Sequence, residues 1–163
     1  MNKKLLIVAM VAAVIIPIGV YAVPPYFINT TIDEPLPTSA KKAMEDKAMA
    51  EKKAMEDNQS LFGTFVGVDS IHTAQGTAKV ISLDDGSNVL RLEDFKSTNG
   101  PDLYVYLATD EKATDYVSLG RLKANIGNQN YDIPDGTDLS KYDSVLIWCK
   151  QFSVLFGNAE LSS

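Results

Sequence analysis

The stretch Val145-Leu146-Ile147-Trp148-Cys149 decides the fold, because it is apolar on both faces of an extended chain. Side chains alternate along a strand, so Val145, Ile147 and Cys149 share one face and Leu146 and Trp148 share the other. A period of two predicts a strand, and the lack of a polar face predicts a strand that is central or covered on both sides. This strand ends on the only cysteine of the chain.

The same alternation runs through residues 61–163. Leu103, Val105 and Leu107, for example, alternate with two tyrosines. Turn residues separate such runs, and Asp84-Asp85-Gly86-Ser87 predicts a hairpin. The polar residues around Gly127 predict a structured loop; they are Asn125, Asn128, Gln129 and Asn130. Seven to nine short strands without a helical stripe predict an all-β fold, an antiparallel β-sandwich or barrel. The strands are expected near residues 61–68, 76–83, 88–95, 102–109, 115–121, 129–132, 143–150 and 152–161.

The first 23 residues predict a transmembrane helix. Leu5 to Val23 contains no charge over 19 residues, which is about 28 Å of helix and close to the thickness of a bilayer core. Lys3 and Lys4 precede the run, so the N-terminus is expected in the cytoplasm and the rest of this single-pass protein outside. The alternative is a cleaved signal peptide, which also places residues 24–163 outside.

Residues 24–60 predict a connection between this helix and the β domain. Prolines make residues 24–38 an extended linker. Lys41-Lys42-Ala43-Met44-Glu45-Asp46 then recurs eleven residues later, at Lys52 to Asp57. Strong helix formers dominate this repeat, which predicts a charged helical spacer over residues 39–57. The expected domains are therefore 1–23, 24–60 and 61–163.

Composition excludes several classes of function. Residues 61–163 contain 8 basic and 14 acidic residues, which accounts for the whole net charge of −6. Such a domain is not expected to bind nucleic acid. One cysteine excludes an internal disulfide and a cysteine-rich cluster, and one histidine, His72, excludes a multi-histidine metal site. The expected partners are the membrane and a redox or envelope protein.

Cys149 is the main candidate site residue. A lone thiol outside the cytoplasm could be a redox thiol, a haem thiolate or a soft-metal ligand. The plain alternative is a small buried hydrophobe, which its place beside Val145 and Ile147 favours. His72 lies in a polar stretch and is the only imidazole available to form a metal site or a Cys–His pair with it. A hydrogen-bonding role in a loop is the alternative for His72.

The remaining candidate site residues are one aspartate and several aromatic residues. Asp102 opens a strand after Gly100-Pro101, and a turn carboxylate is its plain interpretation. Tyr104, Tyr106, Tyr131 and Trp148 are candidates for binding a cofactor or relaying electrons, although packing explains them equally well. The cofactor is unknown at this level: a non-covalent haem, a single metal ion and no cofactor stay open as alternatives.

Several ordered segments together resemble one family, the DM-thirteen domain. The most specific are Gly100-Pro101-Asp102-Leu103-Tyr104-Val105-Tyr106-Leu107 and Val145-x-Ile147-Trp148-Cys149-x2-Phe152-x-Val154-x-Phe156-Gly157, and the resemblance covers about residues 61–161. This family occurs with DOMON domains in Skeletor-type animal proteins and alone in membrane-anchored prokaryotic proteins.

The resemblance implies an extracytoplasmic β domain with an electron-transfer role. The hallmark cysteine of the family corresponds to Cys149, and Asp102 and His72 fall at positions typical of the family. These implications favour a redox domain anchored to a membrane, which carries electrons rather than acting as a turnover enzyme. A non-catalytic binding or interaction module at the cell surface is the alternative.

Overall fold

The computed structural model describes residues 2–22, 28–37 and 61–163. The predicted helical spacer over 39–57 lies outside the described residues. A single helix, α1, runs from Lys3 to Ala22 and covers most of the uncharged N-terminal run. Within the described residues, no helix combines the length and the hydropathy that a membrane crossing needs. The transmembrane interpretation of residues 1–23 therefore stays a prediction.

The described residues also form ten strands in two five-stranded sheets. In chain order they are β1 Thr31–Asp33, β2 Phe62–Thr64, β3 Val66–Gly67, β4 Ala74–Ser82, β5 Asn88–Ser97, β6 Leu103–Ala108, β7 Tyr116–Arg121, β8 Ile126–Ile133, β9 Ser144–Cys149 and β10 Val154–Glu160. The first sheet has the order β1-β8-β5-β4-β2 and the second has the order β3-β10-β9-β6-β7. The prediction of a β-rich fold is confirmed.

The two sheets pack face to face as a sandwich rather than forming a closed barrel. All strand pairs are antiparallel except β1 and β8, which run parallel. The single strand predicted over 61–68 is in fact two strands. The chain changes sheets at Phe65, which is buried between β2 in the first sheet and β3 in the second.

The core lies between the sheets and follows the alternation of the sequence. The first sheet contributes Leu90 and Leu92, and the second contributes Val105, Val145 and Ile147, all of which are fully buried. Burying each such side chain contributes about 1.5–3 kcal/mol. A smaller apolar cluster lies on the opposite, outer face of the second sheet; its buried members are Tyr106, Ala108 and Leu146. The second sheet is thus apolar on both faces, as β9 predicts.

Residues 28–37, which the sequence assigns to a linker, belong to the sandwich. We call them the strap. Their strand β1 forms an edge of the first sheet, pairing Thr31 with Ile126 and Asp33 with Asn128. Residues 38–60 therefore connect β1 at one edge of this sheet to β2 at the other. The strap precedes residues 38–60 in the chain and is already part of the sandwich. Residues 38–60 are therefore not a stalk between segment 1–23 and the domain.

Candidate functional site

Cys149 lies at the very end of the central strand β9, with its sulfur inside the sandwich. It pairs with Leu103 on β6 and with Val154 on β10. Its exposed fraction is only 1 %, and it packs in the same core as Val145 and Ile147. The face predicted from alternation is therefore confirmed. The next residue, Lys150, is already exposed in the turn, so the thiol is buried but close to one end of the domain.

A tightly packed lid covers this end of the sandwich. The backbone N–H of Lys150 donates to the carbonyl of Asp102 at 2.9 Å and thereby ties the end of β9 to the start of β6. A Cβ placed on Gly100 would lie 2.9 Å from the tips of both Leu103 and Phe156. Glycine at this position therefore allows the loop before β6 to close over these two side chains.

The packing around Cys149 does not fit a haem. Two concavities on the described part of the chain have volumes of about 550 and 260 Å³, and Cys149 lines neither. Within the same described ranges, no three His, Cys, Asp or Glu side chains converge as a metal site would require. The cysteine alone is therefore the residue to consider at this position.

His72 belongs to a compact turn with Asp69. Its Nδ1 lies 2.9 Å from the carboxylate of Asp69, and the backbone N–H groups of Ile71 and His72 both donate to that carboxylate at 2.7 Å. The side-chain hydrogen bond from His72, followed by the two backbone bonds, lowers the pKa of Asp69 to about 2. The imidazole packs edge-on against Phe156, with 4.8 Å between ring centroids.

The structure thus gives His72 a different partner from the one considered in the sequence. Its ring nitrogen is engaged by Asp69, and no hydrogen bond joins it to Cys149 among the described residues. The ring of Phe156 touches His72, and the tip of the same ring reaches towards Gly100 at the cysteine end. The geometry favours the hydrogen-bonding interpretation of His72 over a Cys–His pair.

Asp102 faces the outer surface of the second sheet. Its carboxylate pairs with the exposed guanidinium of Arg121 on β7. Arg121 also donates to the hydroxyl of Tyr104 at 3.4 Å and lies over that ring. The carboxylate of Asp102 therefore forms an ion pair with a residue of the neighbouring strand. The sequence had predicted instead that it accepts backbone N–H groups within the turn. It does not point to the sulfur.

The four aromatic candidates separate into two environments. Tyr131 on β8 is buried in the core; it donates to Gln129 Oε1 at 2.8 Å and accepts the backbone N–H of Lys123 at 3.0 Å. Burial raises the pKa of the Tyr131 phenol. Tyr104 and Trp148 instead flank the cluster on the outer face of the second sheet, of which Tyr106 is a member. The candidates for cofactor binding thus do not form one site.

The outer face of the second sheet holds the larger concavity, which we call the aromatic cleft. Its aromatic lining residues are Tyr106, Tyr116 and Trp148, and Leu155 adds an aliphatic wall. The rings of Tyr106 and Tyr116 stack at 4.2 Å with 16° between their planes. Burial, followed by the proximity of Tyr116, raises the pKa of Tyr106 to about 12. The sequence identifies Tyr106 as a candidate but not Tyr116, although the strands that carry both residues, β6 and β7, were predicted.

The polar residues around Gly127 form the binding surface for the strap rather than a loop. Asn125 Oδ1 accepts the backbone N–H of Thr30 at 2.7 Å, and Asn128 donates to Asp33 at 2.7 Å. A Cβ on Gly127 would overlap the carbonyl oxygen of Ile32 in the strap. These residues lie on strand β8 or just before it, so the predicted loop is wrong. Asn125, Asn128 and Asn130 bind the strap, whereas the buried Gln129 bonds to Ala124 and Tyr131.

An ion pair closes the other end of the strap. Glu34 accepts from Lys123 Nζ at 2.8 and 3.0 Å and from the backbone N–H of Asn130 at 2.6 Å. Burial alone would raise the pKa of Glu34, but these hydrogen bonds outweigh it and lower the pKa. Arg91, which is 5 % exposed, adds a bond to the carbonyl of Glu34 at 3.1 Å. The strap is thus held by specific polar contacts along its length.

The fold and this site define a β-sandwich module with one buried cysteine at the end of its central strand. The chain belongs to the Electron transfer DM13 family, whose model matches residues 64–161. The resemblance inferred from the sequence is thereby confirmed. No curated protein and no solved structure matches the chain.

Proposed function

We propose that this protein is a membrane-held electron-transfer domain in which Cys149 is the redox-active group. The family is one of electron-transfer domains, and Cys149 is the only thiol of this chain. The observation that carries the proposal is the position of the sulfur, in the last residue of β9 and one residue before an exposed turn.

The chemistry open to Cys149 is limited because it is the only cysteine in the chain. Oxidation cannot form an internal disulfide, so it must give either a mixed disulfide with another molecule or an oxygen adduct. Both products need the core packing around Cys149 to open, since the residue is 1 % exposed and shares the core with Leu103 and Phe156. Access to the thiol is therefore gated by the packing at this end of the domain.

Alkylation kinetics test this proposal. The full-length protein is treated with iodoacetamide, and the modification of Cys149 is followed by mass spectrometry under native conditions and in urea. We expect slow but measurable modification of the native protein, and faster modification of a Gly100→Ala variant, whose Cβ pushes on Leu103 and Phe156. A Gly86→Ala variant is the control for destabilisation alone, because its φ of 85° strains an alanine while nothing lies within 4 Å of its Cβ and the hairpin is remote in sequence from β9.

Two results together would refute a gated redox thiol. Cys149 would be modified only after global unfolding, and it would react no faster in Gly100→Ala than in the control. An ultraviolet–visible spectrum of the protein purified from its native host, compared with that of a Cys149→Ala variant, tests whether any chromophore depends on the sulfur. A cysteine-dependent absorption band would overturn the free-thiol form of the proposal.

We also propose that residues 1–23 hold the domain on the outer side of a membrane. The uncharged run from Leu5 to Val23 behind Lys3 and Lys4 supports this orientation, as do the exposed apolar side chains of Met10 and Val14 on α1. Only residues 23–27 separate α1 from the strap, a reach of at most about 21 Å, so the domain would lie close to the bilayer. Extraction by detergent but not by carbonate is expected, and full release by carbonate would contradict it.

A non-catalytic binding module is the second candidate. The aromatic cleft favours it, because this concavity is open to solvent whereas the thiol is not. Full cellular activity of a Cys149→Ala variant would favour this candidate over the redox domain.

A further inference from the structure

The aromatic cleft has the size and the lining of a small-molecule site. Its volume of about 550 Å³ lies within the range of about 300–1,000 Å³ that is usual for ligand pockets. Tyr106 is 2 % exposed and Trp148 is half-buried, whereas the ring of Tyr116 is 43 % exposed. A ligand in the cleft would therefore meet flat aromatic surfaces that already hold fixed orientations.

The charged residues that line the cleft are mainly cationic. Lys112 and Lys150 both line it, and within the described ranges neither has a carboxylate at ion-pair distance. The one acidic lining residue, Glu111, already accepts a hydrogen bond from Asn158 at 3.0 Å. The ammonium group of Lys150 lies 5.1 Å from the centre of the Tyr104 ring. The lining thus carries one carboxylate and two ammonium groups that no carboxylate in the described part of the chain neutralises.

The backbone that carries these lysines is held in an unusual conformation. Ala113 and Ser153 line the cleft with φ of 51° and 53°, values that residues with a Cβ rarely adopt. Asp110 fixes the first of these loops by accepting the N–H groups of Lys112 and Thr114 at 2.9 and 3.1 Å. The rim is thus preformed on both sides of the aromatic surface.

We propose that the aromatic cleft binds a flat conjugated ring that bears a negative charge. The ring would lie against Trp148 and Tyr116, with its anionic group near the ammonium groups of Lys112 and Lys150. Tyr106, with its raised pKa, stays neutral at physiological pH and adds no repulsion. This site is independent of the proposed redox role, because Trp148 and Cys149 point to opposite faces of the second sheet.

The single tryptophan of the chain makes the test local, since Trp148 lies in the cleft. Its fluorescence is titrated in the full-length protein with 2-naphthalenesulfonate and with the neutral 2-naphthalenesulfonamide, which has the same ring. We expect saturable quenching by the sulfonate and at least about fivefold weaker binding of the sulfonamide, as one or two exposed charge pairs allow. No saturable quenching, or equal affinity for both probes, would overturn the proposal.

Variants separate the two parts of the site. Lys150→Gln is expected to weaken the sulfonate about fivefold and to leave the sulfonamide unchanged, whereas Tyr116→Ala is expected to weaken both probes. Lys96→Gln, an exposed lysine on β5 of the other sheet, is the charge-matched control and should change neither affinity. Equal effects of the two lysine variants would refute the assignment of Lys150.

Cys149→Ala distinguishes this site from the proposed redox site. We expect this variant to keep the affinity for the sulfonate. Loss of binding in a Cys149→Ala variant with an unchanged urea midpoint would place the probe on the inner face of the sheet and overturn the proposal.

Discussion

Replacing Gly127 by alanine is expected to push strand β1 of the strap away from β8 at the edge of the first sheet. Gly127 has φ of 107°, and a Cβ there would overlap the carbonyl oxygen of Ile32. The strap must back away until that oxygen reaches ordinary contact, 3.4 Å or more. Gly120 is the matched control, because its φ is 114° but nothing lies within 4 Å of its Cβ. Both variants pay for the strained backbone, and only Gly127→Ala also displaces the strap.

The structure sets the size of the difference. Positive φ at an alanine costs about 1–3 kcal/mol in either variant. Retreat of the strap additionally breaks two neighbouring backbone hydrogen bonds. They run from Ile126 N–H to the carbonyl of Thr30, at 3.1 Å, and from Glu34 N–H to the carbonyl of Asn128, at 2.9 Å. The bond from Thr30 N–H to Asn125, at 2.7 Å, is lost as well. At about 1 kcal/mol for each bond, Gly127→Ala should cost about 3 kcal/mol more than Gly120→Ala.

Urea denaturation followed by Trp148 fluorescence measures both free energies of unfolding. Amide hydrogen exchange at Ile32 and Glu34 reports the strap directly, and only Gly127→Ala should remove their protection. Equal destabilisation by the two variants, within about 0.5 kcal/mol, together with unchanged protection in the strap, would show that the strap does not depend on close contact with Gly127.

Two further predictions concern single side chains. Hydrogen bonds, foremost from His72, lower the pKa of Asp69 to about 2, so its contribution to stability is present above the unfolded value near pH 3.8 and is lost as the pH falls towards 2. Carboxyl NMR titration should show ionisation of Asp69 near pH 2, and a midpoint near 3.8 would contradict the turn. Tyr131→Phe leaves Gln129 and the N–H of Lys123 without the buried hydroxyl and should cost about 1–3 kcal/mol in urea denaturation. An unchanged midpoint would argue against this network.

Sequence patterns predicted the strands that fill the core and missed the contacts made by polar side chains. Leu103 to Leu107 and Val145 to Cys149 alternate because one face meets the opposite sheet, and their strands are confirmed. Asn128 and Asn130 gave no such signal, because on β8 they bind the strap and not the core. A strand whose side chains bind a polar neighbouring segment is itself polar, and a polar composition is typical of a loop.

The strap itself could not be predicted for a related reason. Thr31–Asp33 is short and half polar, and it follows proline-rich sequence that indicates a linker. Its place in the fold depends on partners about 95 residues away, such as Asn125 for Thr30. Local propensity and periodicity contain no information about such distant pairing. The candidate site shows the same limit, since no local pattern could tell whether His72 meets Cys149, which lies 77 residues further along the chain.

Trp148 and Cys149 show most clearly what strand alternation means for function. Both residues are candidates for function, and adjacency in the sequence suggests one site, but a strand sends neighbouring side chains to opposite faces. The thiol therefore lies in the core while the indole lines the aromatic cleft. Substitutions at the two positions should consequently affect redox chemistry and ligand binding separately. Any coupling between them must pass through the backbone of β9, because the sheet itself lies between the two side chains.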